Sequence, residues 1–347
     1  MSWLSEPGCP ADTLVELQGC DGSWWTLAGP GAGNRGVWLA SGVTGLHDPP
    51  VKVVYEEPGN WPGARYLNHR VLRRDIVFAV TIMHDREESW SERDSLWRRA
   101  WAFDKDSFLR ITTESGTRTL KLRLGESPEV SYEHDPRGKT ANNVGMVCIA
   151  GDPYWWEDDV VYSVVTKTDT RFDPEPYWKT PKWADLPKEE LHIVVDDAVD
   201  GKGGVNPTDQ SIWPKWTMPG SQEPVKNFPE PWPPGIAIPW ERAPFTQWVI
   251  PDYDFTPGSD KANRRLRLPG LIKGEDIVVD ADPRVEQVSS VIGTQVWSRM
   301  NAVRFRHPIP PYTAKKDFHI TVTGCRPGQM VTLRLPRPFS RPWGMGA

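Results

Sequence analysis

The sequence predicts a mainly β protein with one helix, and composition, patterning and length carry this prediction. The 347 residues include 35 prolines and 29 glycines, and proline removes a backbone donor and breaks helices and inner strands. Short apolar runs, several of them alternating with polar residues, are separated by Gly and Pro, as in strands joined by turns. The chain is also longer than one hydrophobic core usually supports. We therefore expect two β-rich domains.

Three strands are predicted early in the chain. Residues 36–40 and 51–55 are apolar runs bounded by turn-forming residues, which favours strands and excludes a helix there. Residues 74–82 place alternate apolar residues from Ile76 to Ile82 on one face, with Val77 and Ala79 on the other. This pattern is typical of a largely buried strand.

One amphipathic helix is predicted over residues 89–103. Ser89 and Glu92 have the S-x-x-E spacing of a capping box, which satisfies two backbone donors at a helix start. The residues that follow place apolar side chains at helical spacing, namely Leu96, Trp97, Ala100 and Trp101.

A hairpin and a further strand complete the first domain. Strict alternation in residues 109–113 and 120–124, around a turn at 114–116, predicts a half-buried hairpin. A strand at 144–149 should end before Pro153, which cannot donate to a neighbouring strand. We place the domain boundary between residues 157 and 168, giving domains 1–162 and 163–347.

The second domain is predicted to be a β-sandwich with a Pro- and Trp-rich excursion near residues 213–257. In this excursion almost every third or fourth residue is Pro or Trp, which excludes a helix, while the many aromatic residues argue against free disorder. Short strands at the spacing of a sandwich are expected at 191–195, 265–268, 276–280, 318–322 and 330–335.

Composition and charge exclude several classes of function. The net charge is −5, whereas surfaces that bind nucleic acid need clustered Lys and Arg. No run of 18 apolar residues could cross a bilayer, so membrane insertion is not expected. The first residues carry neither a basic start nor an apolar stretch, which indicates synthesis in the cytoplasm without a secretory signal.

Catalytic, cofactor and metal sites are not predicted. The four cysteines are far apart and lack the spacing of a zinc site; we interpret them as reduced thiols, with a pairing of Cys9 and Cys20 left open. The glycine-rich residues 29–36 lack the Lys-Ser/Thr ending of a phosphate loop and favour a hairpin loop. The acidic clusters at 157–159, 196–197 and 280–282 lack calcium-loop spacing and fit solvated turns.

The 19 tryptophans are the other unusual feature of the composition. Trp offers large, rigid contact area, which is valuable in cores and at interfaces with other chains. In the excursion the same side chains could stack on sugar rings. The sequence favours core and subunit contacts, and the candidates for a glycan or partner contact are Trp213, Trp232, Trp240 and Trp248.

The order of motifs resembles the siphovirus distal tail proteins, in particular the long versions encoded by phages of mycobacteria and their relatives. The resemblance covers most of the chain. The motifs that carry it are Gly36–Leu39, Val43–Leu46 with Pro49, Pro58–Ala64, Arg73–Ile82, the helix, the hairpin and Gly151–Trp155 in the first half, and Asn206–Pro214, Arg264–Pro269, Gly274–Asp280, Trp297–Asn301 and Phe305–Pro311 in the second. The excursion from about 219 to 257 is longer than a minimal galectin-like domain needs.

This resemblance implies a homo-oligomeric ring at the virion's tail tip, typically of six copies. Residues 1–162 would close around the channel, and residues 163–347 would form a galectin-like β-sandwich that projects outward. The implied neighbours are the tail-tube protein, the tail-associated hub protein and the tape-measure protein, and DNA would pass through without specific binding. A mildly acidic chain suits such a channel.

A cyclic ring requires two different complementary patches on each copy. Strand edges and the Trp-bearing helix suit such patches, through strand addition and burial of aromatic anchors. The candidate interface residues are Trp90, Trp97, Trp101, Tyr154, Trp155 and Trp156. Two alternatives stay open: a carbohydrate-binding minor tail protein that recognises the host cell wall, and, with less support, a wall-degrading enzyme.

Overall fold

The computed structural model describes residues 13–57, 59–60, 62–84, 88–130, 141–172, 182–223 and 245–345. The chain divides into two compact units. Of the described residues, the first unit comprises those up to 158 together with 338–345, and the second comprises those from 159 to 337.

The first unit is built from antiparallel strands in two sheets that share β8 and in a separate two-stranded sheet of β4 and β5. One sheet has the order β2-β1-β7-β8-β11, and the other joins β3, β6 and β10, with β8 and β9 pairing along β10. The strands are β1 (Leu14–Gln18), β2 (Trp24–Ala28), β3 (Val37–Leu39), β4 (Val51–Glu56), β5 (Arg65–Val71), β6 (Arg74–Met83), β7 (Ser107–Thr113), β8 (Gly116–Leu124), β9 (Glu129–Val130), β10 (Ala141–Ala150) and the start of β11 (Trp155–Val165).

The core of this unit follows from side-chain alternation. In β6 every second residue from Ile76 to Ile82 is at most 4% exposed, and in β8 Leu120 and Leu122 are fully buried. Because successive side chains of a strand point to opposite faces, these residues meet across the two sheets. The predicted strands at 74–82 and 144–149 and the predicted hairpin are therefore present.

Helix α1 (Trp90–Arg99) covers one part of this core. Ser89 caps it, with the Glu92 side chain returning to the Ser89 backbone as the capping box requires. The helix ends four residues before the predicted position 103. The reason is that the carbonyl of Ala100 accepts hydrogen bonds from the Cys20 N–H at 2.9 Å and from Ser107 Oγ at 2.9 Å. These bonds take the place of the one that a further helical turn would make to this carbonyl.

Residues 338–345, the C-terminal strap, belong to the first unit, whereas the sequence places all of 163–347 in the second domain. Buried Arg118 donates to the carbonyls of Arg341 at 2.9 Å and Gly344 at 2.7 Å. Buried Arg74 donates to the Ser340 carbonyl at 2.6 Å. No periodic pattern in the sequence encodes these contacts, because arginine side chains make them to backbone carbonyls.

The second unit contains two antiparallel sheets. One has the order β12-β18-β14-β15, and in the other β13 lies between β16 and β19, with β17 beyond β16. The elements are β12 (Glu189–Asp196), the short helix α2 (Asp197–Asp200), β13 (Lys215–Met218), β14 (Gln247–Pro251), β15 (Arg265–Arg267), β16 (Ile277–Asp280), β17 (Val288–Ser290), β18 (Lys315–Thr323) and β19 (Met330–Phe339).

The two described ends of the predicted excursion are core strands of this unit. Trp216 and Met218 of β13 and Trp248 and Ile250 of β14 are at most 1% exposed. Residues 215–218 and 247–251 alternate like the other strands, and Pro214 and Pro219 flank β13 without interrupting it. The middle of the predicted excursion, residues 224–244, lies outside the described residues.

Asn206 anchors the segment that leads into this sandwich. Its fully buried amide donates to the carbonyls of Gln210 and Pro310, both at 2.8 Å. Its side-chain oxygen accepts from the Thr208 N–H at 3.1 Å and from Thr208 Oγ1 at 2.8 Å. A buried amide satisfied on both ends fixes the path of the chain around it.

The predicted fold class is confirmed. The chain is mostly antiparallel β-sheet, and α1 is the single helix of seven or more residues in the described part. Among the described residues no helix is long and apolar enough to cross a membrane.

Candidate functional site

One exposed apolar feature of the first unit is a two-stranded ribbon formed by β4 and β5, here called the hairpin arm. In β4 all six residues are exposed, and in β5 all but Val71. The two strands pair with each other as a separate two-stranded sheet. A ribbon of two strands without a covered face is marginally stable in water.

The pairing register divides the hairpin arm into two faces. Val51 lies opposite Val71, Val53 opposite His69, and Tyr55 opposite Tyr66 across a β-bulge. Opposite residues project on the same side of an antiparallel pair, so these six form one apolar and aromatic face. The other face carries the pairs Lys52 with Arg70, Val54 with Asn68 and Glu56 with Arg65.

The aromatic side chains on the arm contact each other. The rings of Tyr55 and Tyr66 meet edge to face with centroids 6.0 Å apart, and the Tyr66 hydroxyl lies 2.5 Å from Nδ1 of His69. Tyr55 nevertheless remains 56% exposed and Tyr66 51% exposed. An exposed apolar surface rich in ordered aromatic side chains is typical of a protein–protein interface.

A second exposed surface, the aromatic face, lies on the outer side of the sheet β2-β1-β7-β8-β11. A groove of about 310 Å³ there is lined by Trp24, Phe108 and Trp156 together with Gln18, Arg110, Thr117, Thr119 and Asp158. The Arg110 guanidinium lies 6.0 Å from the Trp24 ring centroid. Solvent faces of sheets are normally polar, so three aromatic side chains on one such face indicate a contact surface.

The sequence-predicted interface residues fall into two groups. Trp90, Trp97, Trp101 and Trp155 are at most 7% exposed and belong to the core of the first unit. Trp97 packs edge to face on Trp25 with centroids 5.3 Å apart. A neighbouring chain could reach these four rings only if the core opened, because side chains of the same unit already cover them.

The other two predicted interface residues are partly exposed. Trp156 lines the groove of the aromatic face, and its indole N–H donates to Asp152 Oδ2 at 2.9 Å. Tyr154 is partly buried two residues earlier. Their contact with a neighbouring copy stays a prediction, and of the six residues these two remain open to it.

The candidate glycan contacts are also divided. Trp248 is fully buried and donates from its indole to the Pro219 carbonyl at 2.9 Å. Trp213 is partly buried against the core of the second unit. Trp232 and Trp240 lie outside the described residues. The buried Trp248 ring has no open face for stacking on a sugar, whereas a glycan contact at the partly buried Trp213 stays a prediction.

The described part of the chain contains three free cysteines. Cys20, Cys148 and Cys325 are free, while Cys9 lies outside the described residues. Burial raises the pKa of the Cys148 thiol to about 12, which keeps it protonated and unreactive. Within the same residues no group of three or more His, Cys, Asp or Glu side chains could hold a metal ion.

Sequence reasoning missed the hairpin arm and most of the aromatic face. Residues 51–55 were predicted as a strand, but β5 was not, because its alternation of Tyr, Asn and Arg with Leu, His and Val is weak. Trp24 and Phe108 carried a detectable signal: each is an aromatic residue out of phase with the buried residues of its own strand.

Comparison with solved structures finds a protein of similar architecture. The Dit protein of phage SPP1, described as a paradigm of the hub adsorption apparatus in phages that infect Gram-positive bacteria, has the same fold at a TM-score of 0.53 and 11% identity, over 94% of this chain and 99% of that one. No protein-family model matches the chain.

Two curated relatives are far more similar in sequence. Minor tail protein Gp27 of Mycobacterium phage D29 is 58% identical over 340 residues, and Minor tail protein Gp27 of Mycobacterium phage L5 is 57% identical over 340 residues; each match covers 96% of this chain and 99% of the relative. The chain therefore belongs to the minor tail protein Gp27 family of mycobacteriophages. The predicted resemblance is confirmed, and the protein is a structural component of a phage tail.

Proposed function

We propose that the protein forms a closed ring at the tail tip, in which the hairpin arm of each copy packs on the next copy. The observation that carries this proposal is the arm itself. Its apolar face is ordered and contacts solvent, and burying apolar area of this kind contributes about 25 cal/mol per Å². A second copy of the chain supplies a surface that can cover it.

The aromatic face supplies the complementary patch. A ring needs a heterologous contact, in which two different surfaces of each copy meet. The arm presents Tyr55 and Tyr66, and the aromatic face presents Trp24, Phe108 and Trp156 around a groove. Aromatic anchors that enter pockets contribute most of the binding energy at such interfaces. In this proposal the arm of one copy occupies the groove of the next, six times around the ring.

The remaining partners follow from the place of a distal tail protein. The ring joins the tail-tube protein to the tail-associated hub protein, and the tape-measure protein and DNA pass through its channel. The net charge of −5 suits a channel that phosphates must not bind. We propose that the protein is made in the host cytoplasm, joins the virion at the tail tip, and has a structural and not a catalytic role.

Two matched double variants test the ring. Tyr55→Ser with Tyr66→Ser removes the aromatic pair from the apolar face, and Lys52→Ser with Arg70→Ser changes the same ribbon on its opposite face. Light scattering should give a mass near six copies for the natural protein and the opposite-face variant, and near one copy for the aromatic variant. The same mass for all three proteins would refute the arm's role.

The carbohydrate-binding alternative has less support. Of its four candidate residues, Trp248 is buried and Trp213 is half covered by its own unit. A glycan array with the full chain addresses it directly, and a signal that survives Trp213→Ala would point to a site elsewhere in the chain.

A further inference from the structure

The second unit carries a groove along the outer edge of its four-stranded sheet. The sheet order is β12-β18-β14-β15, so β15 pairs with β14 on one side and, among the described residues, is the edge strand on the other. A groove of about 550 Å³ lies beside it. One wall is residues 265–270, the opposite wall is residues 299–303, and Trp183, Leu186 and Phe245 lie around it.

The register of β15 shows which backbone groups face this groove. The Leu268 N–H donates to the Trp248 carbonyl at 2.9 Å, and the Arg264 carbonyl accepts from the Asp252 N–H at 2.9 Å. Hydrogen-bonded positions alternate along an antiparallel strand. Leu266 therefore bonds to β14, and the N–H and C=O groups of Arg265 and Arg267 point away from it, toward the open edge.

The side chains around the groove are apolar in its floor and cationic at its rim. Leu266, Leu268 and Met300 are at most 5% exposed and form an apolar floor. The lining includes Arg265, Arg267 and Arg299 and no Asp or Glu. Glu275 pairs with Arg299, and Glu190 lies 3.6 Å from Arg265. Three guanidinium groups facing two carboxylates leave an excess of positive charge at the groove.

Trp183 is already engaged by cations. The Arg267 guanidinium lies 5.5 Å from its ring centroid and the Lys188 ammonium 5.0 Å from it. These contacts position Arg267 at the groove. The outward N–H and C=O groups of β15 beside this ring favour a polypeptide over a saccharide, because an added strand can pair with them.

We propose that this groove binds an extended acidic segment of another protein, which adds to β15 as a further strand. Strand addition uses the outward N–H and C=O groups of Arg265 and Arg267, and alternate side chains of the added strand then point to opposite faces. One set of side chains enters toward Leu266 and Met300, and the other meets the arginines. The matching segment alternates apolar and acidic residues. This proposal is independent of the ring, because it concerns another surface and another partner.

A proline substitution separates backbone from side-chain recognition. Arg267→Ala removes the guanidinium only, whereas Arg267→Pro also removes the outward N–H while leaving the bonds between β15 and β14 in place. Arg304→Ala is the matched control, since it removes an equal charge from a residue outside the groove lining. Unfolding midpoints of the three variants, compared with that of the natural protein, show whether the sandwich is intact.

The probe is a fluorescent ten-residue peptide of alternating Glu and Val, compared by anisotropy with a Lys–Val peptide and with an oligogalacturonate of equal charge. The natural protein and the Arg304→Ala variant should bind the Glu–Val peptide. Binding should weaken about tenfold in Arg267→Ala, and at least several-fold further in Arg267→Pro.

Three results would overturn the proposal. One is no binding of the Glu–Val peptide by the natural protein. Another is equal affinity of Arg267→Ala and Arg267→Pro with an intact fold, because the backbone would then take no part. The third is oligogalacturonate binding that is as tight as peptide binding and has the same affinity in Arg267→Ala and Arg267→Pro. That result would make the groove a site for acidic saccharides.

Discussion

Two hairpins of the first unit share a sequence pattern and differ in what covers them. In the hairpin of β7 and β8, alternate residues such as Leu109 and Leu120 are at most 4% exposed. In the hairpin arm, Val53 is 42% exposed and Tyr55 56% exposed. Both ribbons are amphipathic, but within the described residues one has a partner sheet and the other does not. Alternation therefore identifies an apolar face without identifying its partner.

The largest expected effect compares a buried and an exposed tryptophan. Trp97→Ala should lower the free energy of unfolding by about 3–5 kcal/mol, because it empties the centre of the first core. Trp156→Ala should change it by less than about 1 kcal/mol, because the ring is partly exposed. Denaturant unfolding followed by circular dichroism measures both. Similar losses would mean that the aromatic face is part of the core.

The next effect compares the two hairpins directly. Leu120→Ala should cost about 2–5 kcal/mol, since the side chain is fully buried. Val53→Ala in the arm should cost at most about 0.5 kcal/mol in the isolated chain. If the ring forms, the free energy of unfolding of the Val53→Ala variant should depend on protein concentration in addition to this small cost, because assembly stabilises the folded state. A loss at Val53 as large as that at Leu120 would show that the arm packs within its own chain.

A smaller effect is expected at the start of α1. Ser89→Ala removes the cap that accepts the Glu92 N–H and should cost about 0.5–2 kcal/mol in the same unfolding assay. Ser91→Ala is the matched control. Ser91 is an exposed residue of the first helical turn that does not cap the helix, so its substitution should be nearly neutral. Equal behaviour of the two variants would contradict the capping-box account.

The smallest effect concerns the C-terminal strap. A hydrogen bond from Arg341 lowers the pKa of the Asp48 carboxyl, so this pair stabilises the folded chain above the ordinary pKa of 3.8 and its contribution is lost as pH falls through the lowered value. Both side chains are largely exposed, and solvent screening limits the contribution to about 0.5 kcal/mol or less. Asp48→Asn should weaken stability slightly at pH 7 and leave stability at pH 2 unchanged. A larger loss at pH 2 than at pH 7 would contradict this assignment.

Much of the fold could be predicted from local patterns, and much of the candidate site could not. The strand at β6 and the capped helix depend on residues close in sequence, so their periodicity is sufficient. The C-terminal strap depends on Arg74 and Arg118 reaching backbone carbonyls more than 200 residues away. Helical spacing predicts the apolar side of α1 but not the element that covers it, so the sequence could not show that Trp90 and Trp97 pack within their own unit.

The most direct test of the ring joins the arm of one copy to the aromatic face of the next. In a background with Cys9→Ser and Cys20→Ser, one chain carries both Glu56→Cys, beside Tyr55 in the arm, and Thr117→Cys in the aromatic face. A short bismaleimide then links thiols that lie close together. A heterologous ring predicts a ladder of cross-linked species that ends at one closed product, near six copies, whereas each single-cysteine chain stays uncrosslinked. Cross-linked dimers alone, or no cross-links in a protein whose mass shows a ring, would contradict the contact between arm and aromatic face.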